Sequence, residues 1–246
     1  GGWALVAAGF GNDVVHDVTN AGGTLVAVGS FSGWLGLSEN VQAIDANASS
    51  VNLDGFIAWA APNGTWMHGS LINSDNGSES IDRVAALDGG DVLVAGRYCS
   101  GTAGEACSAS YGDDGILEKE YITDDGGAFL ARISPDATWM WATSITSEDA
   151  VLVLDLVAHE DEAVLAIHHQ NNLRLSQWNA TGEDHRLGAT ALRFDASGTL
   201  LGQIQVSSGT TNLEEEGALC VDRLGTVHLV LNYASNLIVD DRLIES

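Results

Sequence analysis

Three kinds of residue in this chain could do chemistry by type and spacing: paired cysteines, clustered carboxylates and grouped histidines. Cys99 and Cys107 stand eight apart in the segment CSGTAGEAC. So short a tether can close into a disulfide loop, worth about 2.6 kcal/mol in the chain-entropy picture. No second Cys or His pair has zinc spacing, so a disulfide is preferred to a metal centre. Cys220, inside the apolar run ALCV, reads as a buried core thiol. The carboxylates cluster at Asp113-Asp114, Asp124-Asp125, Glu214-Glu215-Glu216 and Asp240-Asp241. Calcium takes six to eight oxygens, so such groups could hold it, although no site is singled out. The loop Asn73–Glu79 lacks the alternating carboxylates of a calcium loop. His159, His168, His169 and His185 gather in one stretch, but His168 and His169 are adjacent on an expected strand and face opposite sides. Hydrogen-bonded or exposed histidines are the simpler reading there. No G-x-S-x-G elbow, P-loop or H-E-x-x-H is present, so no metal or catalytic residue is assigned.

The seven tryptophans divide into two groups. Trp3, Trp59, Trp66, Trp139 and Trp141 recur at matching places in an internal repeat and read as packing residues. Trp34 and Trp178 fall outside that pattern and are the candidates for stacking on a sugar or a partner. Four sequons, at Asn47, Asn63, Asn76 and Asn179, fit N-x-S/T and lie in expected turns or loops. With the disulfide they point to an oxidising, extracellular or cell-surface setting. The charge excludes other partners. Thirty-four acids against nine bases give a net charge of -25, which repels both nucleic acid and anionic lipid. A surface this acidic, with Lys119 its one lysine, leans towards a saline habitat, where salt screens the repulsion between carboxylates. No run of about eighteen apolar residues is present. Opening on Gly-Gly without an initiator Met, the chain reads as a mature or excerpted segment.

The elements that must position these residues come from a repeat. Residues 13–29, DVVHDVTNAGGTLVAVG, align without a gap on residues 80–96, SIDRVAALDGGDVLVAG, with looser copies at 153–167 and 215–231. Counted from Gly29 through Gly96 and Ile167 to Leu231, the separations are 67, 71 and 64 residues. Such self-similarity marks a repeat architecture. Each copy is a hairpin, then a long irregular segment, then a second hairpin: 55–72 turning at PNGTW, 127–145 turning at PDATW, and 190–206 turning at DASG. Helical periodicity is nearly absent, and the turns carry Pro, Asn, Asp and Gly where turn geometry needs them.

The expected fold is therefore all-β: a β-propeller of four-stranded antiparallel blades, forming one domain over residues 1–246 or part of one. Residues 3–10 would be the closing strand of an earlier blade. Complete blades span about 13–72, 80–146 and 151–206, and a partial blade spans 215–246, which gives three complete and two partial blades. The first strand of each would line a central channel. Gly29-Ser30-Phe31-Ser32-Gly33, Asp54-Gly55-Phe56-Ile57-Ala58 and Trp139-Met140-Trp141-Ala142 resemble the repeats of bacterial and archaeal secreted, surface-anchored β-propeller proteins. That resemblance implies an extracellular scaffold or adhesion-type module and carries over no catalytic residue. Blade three departs from it, with Ile167 and Leu200 where the pattern has Gly and Trp. The turn SPDATW is similar to the Asp-box of sialidases, but Thr138 and Trp139 come two residues early and the box Gly is missing.

The function expected is a non-enzymatic structural or adhesive binding module with no cofactor. Its partners would be a protein or glycan at the cell surface, or neighbouring copies in an assembly. Two other readings stand beside it: a polysaccharide hydrolase or lyase with paired carboxylates, and a subunit of an extracellular filament or surface layer. The long segments 29–54 and 96–127 are expected to carry recognition.

Overall fold

Runs such as TLVAVG (24–29) and VLVAG (92–96) are apolar at every position, which suits a strand covered on both faces. The computed structural model shows why. It describes residues 7–9, 11–37, 44–45, 52–74, 76–101, 106–112, 119–122, 126–147, 151–169, 173–175, 178–179, 188–208, 213–233, 237–239 and 242–244. The chain is all-β, built of antiparallel sheets. The first sheet takes Val14–Ala21, Thr24–Phe31, Asp54–Ala60 and Trp66–Ser74 in that spatial order. The second takes Ser78–Ala86, Val92–Ser100, Gly127–Ile133 and Trp139–Thr146. The third takes Val151–His159, Glu162–His169, Gly188–Phe194 and Leu200–Ser208. A last hairpin joins Leu213–Val221 to Val227–Tyr233.

Successive sheets pack face to face, and alternate residues of one strand enter different cores. Val92 and Val94 pack with Val26, Ile57 and Trp59 of the first sheet. Leu93 and Ala95 pack with Leu156, Leu165 and Phe194 of the third. Leu154, Val164 and Ala166 then meet Leu219 and Leu229 of the last hairpin. Among the described residues no sheet closes on itself.

The described parts of the long segments are paired strands. Each contributes a hairpin to the outer edge of the preceding sheet. Ala106–Tyr111, paired with Lys119–Ile122, leaves the second repeat and adds to the first sheet, with Tyr111 opposite Ile72. Arg174–Leu175 with Trp178–Asn179 does the same on the second sheet. Leu237–Val239 with Arg242–Ile244 does so on the third. Trp34–Gly36 with Ile44–Asp45 sits likewise on Ala8–Gly9. Each full sheet thus has six strands, four of its own and two from the next repeat. The physical reason is edge protection, since an uncovered fourth strand would expose a row of unpaired backbone groups.

One turn recurs in five hairpins. Residue i donates its N–H to the carbonyl of i+4, and residue i+3 donates back to the carbonyl of i; it starts at Ala61, Leu87, Ser134, Asp195 and Asp222. Residue i+3 lies at positive φ, a conformation that suits glycine and costs other residues about 1 kcal/mol or more. Gly64, Gly90, Gly198 and Gly225 occupy it, and in the second sheet Ala137 does so at φ 65°. The first hairpin instead turns in two residues, Gly22-Gly23, both at positive φ. That difference corrects the gapless repeat alignment. Val15 pairs with Gly29 but Ile81 pairs with Gly96, so the first strands are offset by one residue, absorbed in the longer Asp88-Gly89-Gly90 turn.

Candidate functional site

With that register, Asp17, Arg83 and Asp155 are equivalent, and all three tie the first strands of neighbouring sheets. Asp17 Oδ2 accepts from the Val84 backbone N–H at 3.0 Å, and its Oδ1 from Val18 at 2.8 Å. Asp155 Oδ2 accepts from Leu219 at 2.7 Å, and its Oδ1 from Leu156 at 2.9 Å. Arg83 works with reversed polarity, donating Nε to the Leu154 carbonyl at 3.1 Å. These are structural ties, charge-assisted because one partner is ionised.

Among the described residues, a second constellation has no counterpart in the other repeats. The Glu79 backbone N–H donates to the Leu53 carbonyl at 2.7 Å, bringing the start of Ser78–Ala86 beside the start of Asp54–Ala60. Asp54 and Glu79 are 1% and 2% exposed and touch through their carboxyl groups. Glu79 Oε1 accepts from Ser74 Oγ at 2.5 Å and from the Cys99 N–H at 3.0 Å. Among the described residues, Glu79 Oε2 and both Asp54 oxygens have no other donor, and neither carboxyl has an ion-pair partner. Two ionised carboxylates cannot satisfy each other, because both only accept; one must carry a proton and donate it. Burial pushes Glu79 up to about 8, and the adjacent Asp54 adds to that. Burial also raises Asp54 to about 6, partly offset by its hydrogen bond with Glu79. The equivalent positions to Asp54 are Gly127 and Gly188, so the fold builds the same junction without an acid there.

The Cys99–Cys107 disulfide, expected from spacing, lies against this pair. It joins the end of Val92–Ser100 in the second sheet to the hairpin strand clasping the first, so it closes the crossing between sheets. Both sulfurs are buried. Cys99 sits at φ 55°, in the irregular stretch between the Arg97–Ser80 and Ser100–Ser78 pairs.

The other sequence-derived candidates do not converge on it. Trp34 is 39% exposed on the N-terminal three-stranded sheet. Trp178 and Asn179 form a short strand, and their side chains lie outside the described residues. Asn63 is exposed in the Ala61 turn, where its Oδ1 accepts from Thr65. Asn76 is half-buried beside the disulfide, its carbonyl facing Cys107 Sγ. Asn47, Trp3, His185, Asp113-Asp114, Asp124-Asp125 and Asp240-Asp241 lie outside the described residues, as do the side chains of Glu214–Glu216. His168 and His169 are both buried, and His169 Nε2 bonds Thr190 Oγ1 at 2.9 Å. The packing tryptophans hold sheets together: Trp139 Nε1 donates to Ser70 Oγ of the first sheet at 2.8 Å, and Trp141 Nε1 to the Ala196 carbonyl of the third at 2.9 Å. Cys220 corrects the sequence reading. It is exposed, because it points away from the third sheet while its neighbour Leu219 points into it.

Sequence reasoning missed Asp54–Glu79. The available signal was an acid opening the otherwise wholly apolar strand DGFIAWA, an unusual place for a charge. No protein-family model matches the chain, and no curated protein matches it significantly. No helix among the described residues is long and apolar enough to cross a membrane.

Proposed function

We propose that the chain is a run of β-propeller blades from an extracellular or cell-surface protein, acting as a non-enzymatic structural or adhesive binding module. The observation that carries this is the use of the long segments. Among the described residues each gives a hairpin that clasps the edge of the preceding sheet, making a stiff scaffold stitched at its first strands by Asp17, Arg83 and Asp155. The strand order within each sheet, first to fourth outward from those stitches, is that of a propeller blade. The buried disulfide fits an oxidising setting. The facing carboxyl pair Asp54–Glu79 is sealed in the core, whereas a glycosidase needs its two carboxyls across a sugar-sized opening. Exposed Trp34 is the stacking surface for a glycan or protein partner.

The test is binding set against turnover. Immobilised cell-surface glycans should retain the purified chain, Trp34→Ala should abolish retention, and no reducing ends should appear. Glycan turnover lost with an Asp or Glu substitution in a folded variant would overturn the proposal. Non-reducing mass spectrometry of secreted protein should find Cys99 and Cys107 bonded and glycan on Asn63.

A specific observation favours assembly as a second reading. Val18 is 53% exposed, whereas its equivalents Val84 and Leu156 are both 5% exposed. At the other end Val230 is 66% exposed, whereas Val28, Ala95 and Ala166 at that position are fully buried. Both faces are built to be covered, by a further blade or a neighbouring copy. Sedimentation that shows association rising with salt, as screening relieves the net charge of -25, supports a neighbouring copy; a monomer at all salt concentrations removes it.

A further inference from the structure

We propose that the reduced chain binds one thiophilic divalent cation, of the zinc type, between Cys99 Sγ, Cys107 Sγ and the Glu79 carboxylate, a site that disulfide formation abolishes. The three donor atoms already lie within 4.8 Å of one another. Around a tetrahedral zinc, sulfur and oxygen ligands sit roughly 3.5–3.8 Å apart, so the frame needs only a small closure of the carboxylate once the sulfurs part. Cys99 and Cys107 have Cα atoms 5.9 Å apart on two different sheets, and the Glu79 carboxylate is steered to them by the Cys99 N–H itself.

A second observation points independently to a ligand. Beyond the proton they share, Glu79 Oε2 and both Asp54 oxygens are buried, among the described residues, without a donor or cationic side chain, in a junction that the other repeats build with Gly127 and Gly188. With the disulfide closed, a shared proton relieves the pair. With the sulfurs reduced, a divalent ion relieves thiolates and carboxylate together. Sequence spacing pointed away from zinc because the third ligand is twenty residues upstream of Cys99 and is a carboxylate. A dithiol reductant transfers two electrons and two protons to the Cys99–Cys107 bond, leaving two thiols and its own cyclic disulfide. Zinc then displaces both thiol protons and the proton shared by Glu79 and Asp54, so three protons leave per ion. Because the donors are buried, the ion enters as the reduced chain folds.

The experiment uses the full chain with Cys220→Ser, which removes the exposed thiol. After reduction by the dithiol in denaturant and removal of its excess, cobalt(II) is present while the chain refolds without oxygen, and a second sample refolds with cobalt(II) under oxidising conditions, with circular dichroism reporting β-structure. One cobalt per reduced chain is expected, with thiolate-to-cobalt charge transfer and tetrahedral d–d bands, zinc should displace it, and the oxidised chain should bind none. Glu79→Gln should weaken binding by about tenfold or more and Cys107→Ser should abolish the charge-transfer band. Equal binding by the oxidised chain, no binding by a folded reduced chain, or unchanged affinity in Glu79→Gln would each overturn the proposal. So would a reduced chain that stays unfolded with and without zinc.

Discussion

Replacing Glu79 by Gln should change how stability depends on pH more than stability itself. In the folded chain burial raises this carboxyl from an ordinary 4.5 to about 8. A raised acid holds its proton in the native state after the unfolded chain has lost it. Its contribution is therefore fully present below about pH 4.5 and drains away as pH rises towards 8. Between those limits the native state binds one more proton, so stability falls by about 1.4 kcal/mol per pH unit. From pH 5.5 to 7.5 that is about 3 kcal/mol, a large share of a typical 5–15 kcal/mol margin. Asp54, raised from 3.8 to about 6, adds a loss of the same sign at lower pH. His68, whose pKa burial lowers, acts oppositely, losing stability only on acidification through the ordinary histidine range. The interval from pH 6.5 to 8 therefore isolates Glu79. Urea unfolding followed by tryptophan fluorescence at constant ionic strength should show the midpoint dropping steadily across it. Glu79→Gln, neutral at every pH, should flatten that slope and overtake the parent near pH 8. A parent whose midpoint is flat or rises from pH 6.5 to 8, or a variant that keeps the slope, would refute the buried-proton account.

Further predictions concern the scaffold. Ala137→Gly relieves a positive φ where the four sister turns have glycine and should stabilise the chain by about 0.5–1 kcal/mol, read from the same urea midpoints. Asp17→Ala removes the acceptor of the Val84 and Val18 N–H groups and should cost about 1–3 kcal/mol, with faster hydrogen exchange at Val84. Replacing Cys99 and Cys107 together by Ala should cost about 2.6 kcal/mol through loop entropy, with the β-sheet circular dichroism signal retained at low temperature.

The parts of the fold legible in the sequence were those governed by local pattern. Thr24–Phe31 and Val92–Ser100 announce themselves by apolar runs and glycine turns, and Pro62-Asn63-Gly64 and Asp195-Ala196-Ser197-Gly198 mark hairpins by turn chemistry. The clasping hairpins were not legible. Arg174–Leu175 and Trp178–Asn179 are two residues long with no alternation to read, and they pair with a strand from the preceding repeat. Such pairing follows from the need of Trp139–Thr146 for an edge partner, which its own sequence does not display. The one-residue slip between Val15 and Ile81 was hidden because a string alignment matches letters, whereas register follows the type of turn. Asp54 and Glu79 stand 25 residues apart, and they are brought together by the Leu53–Glu79 backbone hydrogen bond and by the Leu53 N–H donating to Ser78 Oγ.

The clasping hairpins also set the order in which the molecule can be completed. As the chain emerges during synthesis, the first sheet has its own four strands by Ser74, yet its outer edge stays bare until residues 106–122 appear. Every sheet therefore waits for its successor, and a chain stalled at any repeat displays a sticky, unfinished edge. The same linkage runs backwards in unfolding. Losing one repeat strips the edge of the sheet before it, so nearest-neighbour coupling is strong and fraying by single repeats is suppressed. The chain should melt in large blocks, and the protection of a given amide should depend on the sheet that follows it as much as on its own.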